Sequence, residues 1–142
     1  MKNTLEDVVR DLTEKTKNGE VQWEPALRYE SQEVVNSCGF DLIETPYIEQ
    51  LGAVVNGVDF LIFMNHPIKP LMYAFNNPLS LMAPRLYVNA RAVSYKISHV
   101  LQSELFEAAI CSCKQKCIEL IEEHANRTKA EMDTIVARYY GS

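Results

Sequence analysis

The chain predicts a single α+β domain: an N-terminal helix, a small antiparallel sheet, then a C-terminal helical region of two to three helices. Three observations predict it. Leu5, Val8, Val9 and Leu12 fall at the i, i+3, i+4, i+7 spacing of one helical face. The stretch from Gly52 to Asn65, GAVVNGVDFLIFMN, centres Asn56-Gly57 between two apolar runs. Asn-Gly is a strong short hairpin signal, because a type I′ turn needs φ > 0 at both central residues. After Pro84 the apolar period changes from two to 3.6. A length of 142 residues suits one core, and 47% hydrophobic with 23% charged residues is ordinary globular composition.

The first helix is expected to start near Thr4, with Thr4-x-x-Asp7 as a capping box in which Asp replaces the usual Glu or Gln. Gly19 is placed to stop it in the left-handed conformation. Val21 and Trp23 then alternate as in a short extended segment, which Pro25 limits. The run T-x-x-G-x-V-x-W from Thr16 to Trp23, following a short helix, resembles the opening of small, mostly uncharacterised bacterial and phage-encoded α+β proteins. The likeness covers about the first 25 residues. It implies a microbial or viral origin and an α+β fold, and it carries no catalytic residue onto this chain.

Residues 26–48 read either as strand or as a short amphipathic helix, with Ser37-Cys38-Gly39 as a turn and a short strand through Phe40, Leu42 and Ile43. In the hairpin, a two-residue turn sets Val55 opposite Val58, Ala53 opposite Phe60 and Leu51 opposite Ile62, an apolar face that Met64 extends. The other face mixes Gln50, Gly52, Val54, Asp59, Leu61 and Phe63. A lone hairpin is marginal in water, so helices must cover it. Leu61 and Phe63 also need cover, from helices or a second subunit, and homodimerisation is expected. The two prolines of HPIKP exclude helix, and Leu71–Phe75 reads as a third strand.

From Pro84, in the first helical turn, Leu86, Ala90, Val93, Ile97 and Val100 make one helical stripe. Leu105, Ala109, Cys113, Cys117 and Leu120 make another. These form one helix, or two broken near Gln102-Ser103. Thr128-x-x-Glu131 is a capping box for a last helix with Met132, Ile135, Val136 and Tyr139 on its face.

No apolar run is long enough to span a bilayer. The charged, helical N-terminus does not read as a secretory signal. The chain is therefore expected in the cytoplasm. A net charge of −5 argues against nucleic-acid binding. The charge is segregated: residues 1–59 hold 12 acids and 5 bases, whereas residues 60–103 hold four bases and no acid.

Cys113 and Cys117 stand one turn apart, with His124 further along a similar face, but a structural zinc site needs four ligands and Cys38 would have to complete the set. Packing of the two cysteines as small hydrophobes explains them without metal. No cofactor motif is present. His66, in the loop after the hairpin, stands near no nucleophile motif. Arg85, Asn89, Ala92, Lys96 and His99 recur at helical spacing opposite the apolar stripe, flanked by Tyr87, Arg91 and Tyr95. Such a surface suits an acidic partner or a phosphate. It equally suits a solvated helix face paired with the acidic first third of the chain. Two functions follow. One is a small non-enzymatic binding protein, a regulator or inhibitor encoded by a phage or mobile element and acting through protein–protein interaction. The other is a small-ligand or nucleotide-binding domain with weak hydrolytic activity, built on His66, Arg85, Arg91 and Tyr87. The lack of any catalytic constellation favours the first.

Overall fold

The computed structural model describes residues 3–64 and 84–141. The expected His66 loop and the strand at Leu71–Phe75 lie outside them. Helix α1 spans Leu5–Lys17. Its Thr4–Asp7 capping box forms in full: the Asp7 N–H donates to Thr4 Oγ1 (3.2 Å) and the Thr4 N–H to Asp7 Oδ2 (2.9 Å). Its buried face is rotated from the expected one. Val8 is exposed, and Val9, Leu12, Thr13 and Thr16 face inward. The two threonines are tolerated there because each hydroxyl donates to the carbonyl four residues earlier. Thr16 Oγ1 also accepts from Trp23 Nε1 at 3.0 Å, so the segment after Gly19 (φ 77°) is pinned back onto the helix.

Five antiparallel strands follow in simple meander order: β1 (Glu24–Asn36), β2 (Gly39–Val55), β3 (Val58–Phe63), β4 (Arg85–Val88) and β5 (Arg91–Ala92). The register across Asn56-Gly57 is the expected one, with Val55 facing Val58, Ala53 facing Phe60 and Leu51 facing Ile62. Both turn residues have positive φ, 51° and 75°. Residues 26–48, ambiguous in sequence, are strand throughout, with a turn at Ser37-Cys38.

The helix expected from Pro84 does not form. Leu86 points inward and Tyr87 is half-exposed, the alternation of a strand. Val88 faces Arg91 across a tight turn in which Asn89 and Ala90 both have positive φ, 47° and 65°. That conformation costs an alanine about 1 kcal/mol. Two bonds to β3 hold it: the Asn89 N–H donates to the Asp59 carbonyl (2.8 Å), and Asn89 Oδ1 accepts from the Asp59 N–H (2.9 Å). A 3₁₀ turn at Ser94–Lys96 leads to α2 (His99–Ser112), capped by Ser98. Gln102 does not break the helix. Its amide donates to the Ser94 and Ile97 carbonyls (2.7 and 2.8 Å) and ties the preceding segment down. The break falls at Cys113, and α3 then runs unbroken over Lys114–Tyr139. Thr128 is inside it and starts no helix.

One sheet face, carrying Leu51, Ala53, Phe60, Ile62 and Leu86, joins Val9, Leu12, Trp23, Leu105, Phe106 and Ile110 in a single core. Cys113 and Cys117 close it at the start of α3. On the opposite face Leu61, Phe63 and Tyr87 are half-buried, whereas Val54 is exposed. Among the described residues no helix is long and apolar enough to cross a membrane.

Candidate interaction surfaces

The residues expected to form a basic stripe do not share a surface. With Val88 paired to Arg91 and Tyr87 to Ala92, Arg85 and Tyr87 fall on one face of the sheet and Arg91 on the other. Asn89 is spent on Asp59. Lys96 sits in the 3₁₀ turn, its Nζ 5.5 Å from the centre of the Tyr95 ring, and His99 is the exposed first residue of α2. His66 lies outside the described residues. The helical spacing that grouped these cations is absent, because a strand turns each successive side chain by half a revolution.

Two depressions among the described residues do not offer a phosphate site either. An open hollow of about 480 Å³ on the outer sheet face is lined by Gln22, Glu24, Gly52, Val54, Asp59 and Leu61. A second, of about 380 Å³, lies beside Asp7, Val8, Asp11 and Val55. Both carry carboxylates, and neither is lined by an Arg or Lys.

The cysteine pair is interior. Cys117 Sγ lies 3.9 Å from Cys113 Sγ, and both side chains are buried. The hydrogen bond with Cys117, together with burial, holds the Cys113 thiol far above its ordinary range. Cys38 is exposed in the β1–β2 turn. Among the described residues no group of three or more His, Cys, Asp or Glu is arranged to hold a metal ion.

Two segments extend beyond the core. The first is a ribbon made by Arg28–Asn36 of β1 and Gly39–Tyr47 of β2, which among the described residues pair with each other alone. At about 3.3 Å per residue it is some 30 Å long. Its outer part is exposed on β1 from Glu30 to Asn36, with Val35 at 83% exposure. The second is the latter half of α3. From Ala125 onward every described residue of that helix is exposed.

A three-residue contact joins them. The His124 ring stacks on Tyr29 (centroids 3.8 Å apart, 14° between planes), and His124 Nε2 meets Glu44 Oε2 at 2.6 Å. Partial burial, then the Glu44 charge, raises the Tyr29 phenol above its ordinary value. This contact fixes where the ribbon leaves α3. Sequence reasoning placed His124 with the cysteines. Its real partners lie on a hairpin 80 residues away, and no spacing in the chain signals that.

Comparison with protein-family models, curated proteins and solved structures returns no match.

Proposed function

We propose that this chain is a small, non-enzymatic binding module, a regulator or inhibitor of a protein partner, and that it captures that partner by adding a strand to the free edge of β1. The observation that carries the reading is the hydrogen-bonding pattern of the ribbon. The two-residue turn at Ser37-Cys38 closes on the pair Asn36–Gly39. Bonded pairs then recur at every second position, and the residues between them turn their N–H and C=O groups away from the partner strand. Those residues are Tyr29, Ser31, Glu33 and Val35 on β1, and Phe40, Leu42, Glu44 and Pro46 on β2. Pro46, which has no N–H, falls at one of the outward positions, where it disturbs no ladder bond. It also blunts the β2 edge. Among the described residues no strand but β2 pairs with β1 between Leu27 and Val35, no proline stands there, and an open edge of this length is a template for an extended peptide.

Charge defines the guest. Residues 28–47 hold one base and four acids, Arg28 against Glu30, Glu33, Asp41 and Glu44. These acids discourage pairing of two such ribbons and favour a basic strand that presents an apolar side chain to Val35. The partner is therefore basic, in contrast to the acidic one that the cation spacing in the sequence suggested.

The test uses proline as an edge block. Glu33→Pro removes one outward N–H and leaves the ribbon's own bonds intact, whereas Gln32→Pro removes a bond within the ribbon. A photo-crosslinking residue at Val35 is expected to capture one discrete protein in the native host. Capture is lost in Glu33→Pro and kept in Glu33→Ala, while the melting temperature of Glu33→Pro stays near that of the parent. Capture that survives Glu33→Pro, or no capture by the parent, overturns the proposal.

A further inference from the structure

We infer that the exposed half of α3 is the seat of a second copy of this chain, packed antiparallel as a symmetric helix pair. The stripe that buries Cys113 and Cys117 continues along α3 after the core has ended. Ile121, Ala125, Thr128, Met132, Ile135 and Tyr139 recur at alternating steps of four and three, the repeat by which one helix packs along another. Ile121 is still partly buried against the core. Met132, Ile135 and Tyr139 stand 56%, 59% and 82% exposed, with Val136 beside them at 55%. A polar helix end would need no cover; this one carries an apolar seam about 22 Å long with no other element against it among the described residues, Tyr139 meeting only the neighbouring Tyr140 ring edge-on.

Charge selects the occupant and its direction. Glu131 and Arg138 stand seven residues apart on one flank of the seam, each just before a seam residue. Neither is ion-paired within its own copy among the described residues. An antiparallel second copy that sets Met132 against Ile135 of the other chain brings Glu131 opposite Arg138 of that chain. Two-fold symmetry makes the contact twice. The same register lays the Lys129 stem along Val136 of the second copy. A parallel pair would instead face Glu131 with Val136 and lose both ion pairs. The antiparallel register also puts the two bodies at opposite ends of the overlap, and the seam uses no residue of β1. The inference therefore does not depend on the strand-addition reading.

Sedimentation velocity from low to high micromolar concentration, with a charge-reversal cycle, tests it. The parent is expected to dimerise. Glu131→Arg and Arg138→Glu should each weaken the dimer about tenfold, because each replaces two attractive pairs with two repulsive ones. The double reversal should restore the dimer, and Met132→Ser with Ile135→Ser should leave monomer at every concentration. These residues are solvated in the single copy, so circular dichroism should show each variant folded. A parent that stays monomeric, leaving the seam to a different protein, overturns the inference. So do single reversals without effect, or a double reversal that stays weak.

Discussion

Ile110 in α2 and Ile135 in α3 are the same residue on the same kind of apolar helical stripe, yet Ile110 is 0% exposed and Ile135 59% exposed. The contrast extends to the whole molecule. In the body, made of α1, the sheet from Leu51 onward and α2, the core-facing apolar positions meet a partner from another element, and Val8, Val54 and Val100 are exposed exceptions. At Val34, Val35 and Ile43 of the ribbon and at Met132, Ile135, Val136 and Tyr139 of α3, apolar side chains stand exposed. The body's pattern is explained by folding alone. The other pattern contributes little to folding, which is why both proposals above rest on it.

The largest expected effect sharpens that division. Ile110→Ala empties space in the core and should cost about 3 kcal/mol, within the range for large-to-small core changes. Ile135→Ala should change the stability of the dilute chain by less than about 0.5 kcal/mol, as at other solvated positions. Urea unfolding of both variants, at a concentration where the parent is a single copy, measures the pair. Equal losses would mean that the α3 stripe is packed, and the division would fail.

The parts of this fold that were legible in sequence are those settled locally. The hairpin register from Gln50 to Phe63 needs only an Asn-Gly turn and a period of two, and the structure reproduces it pair by pair. The Thr4 cap needs only four residues. Residues 84–97 misled because Leu86, Val93 and Ile97 are buried in both descriptions, at helical spacing and as strand and turn. What decides between them is the Asn89–Asp59 pair of bonds, made across 30 residues. The turn there is Asn-Ala, which lacks the glycine that would have announced it. The α3 break at Cys113 has neither Gly nor Pro to mark it. The candidate surfaces were less legible still. The apolar face of Met132, Ile135 and Tyr139 was visible, but that no other element among the described residues covers it is a fact of tertiary structure.

The junction between body and ribbon gives an intermediate effect. His124→Ala removes the stack on Tyr29 and the contact with Glu44. A partly exposed stack and hydrogen bond together are worth about 1 kcal/mol. The loss should appear as faster amide exchange in residues 28–47, with Leu51–Phe60 unchanged. Exchange that quickens equally in both would show that ribbon and body open as one unit.

The smallest effect lies at the start of the body and depends on pH. Hydrogen bonds from the Thr4 backbone and hydroxyl, then the nearby Arg10 charge, hold the Asp7 carboxyl below its ordinary value of 3.8. A lowered value in the fold means that the carboxylate form is favoured by folding. The stabilisation is therefore complete above the ordinary value, and it is lost as pH falls through the lowered one. Asp7→Asn keeps the shape and removes the charge beside the first turn of α1. Its melting temperature should fall slightly below the parent's at neutral pH, and the gap should close once the parent's own carboxyl is protonated. Because Asp7 is exposed, added salt should narrow the gap at neutral pH as well. The same substitution should leave ribbon exchange untouched, since the cap acts only on the body. A gap that widens on acidification would reverse the sign of the linkage and remove the cap from the account of how the body is held.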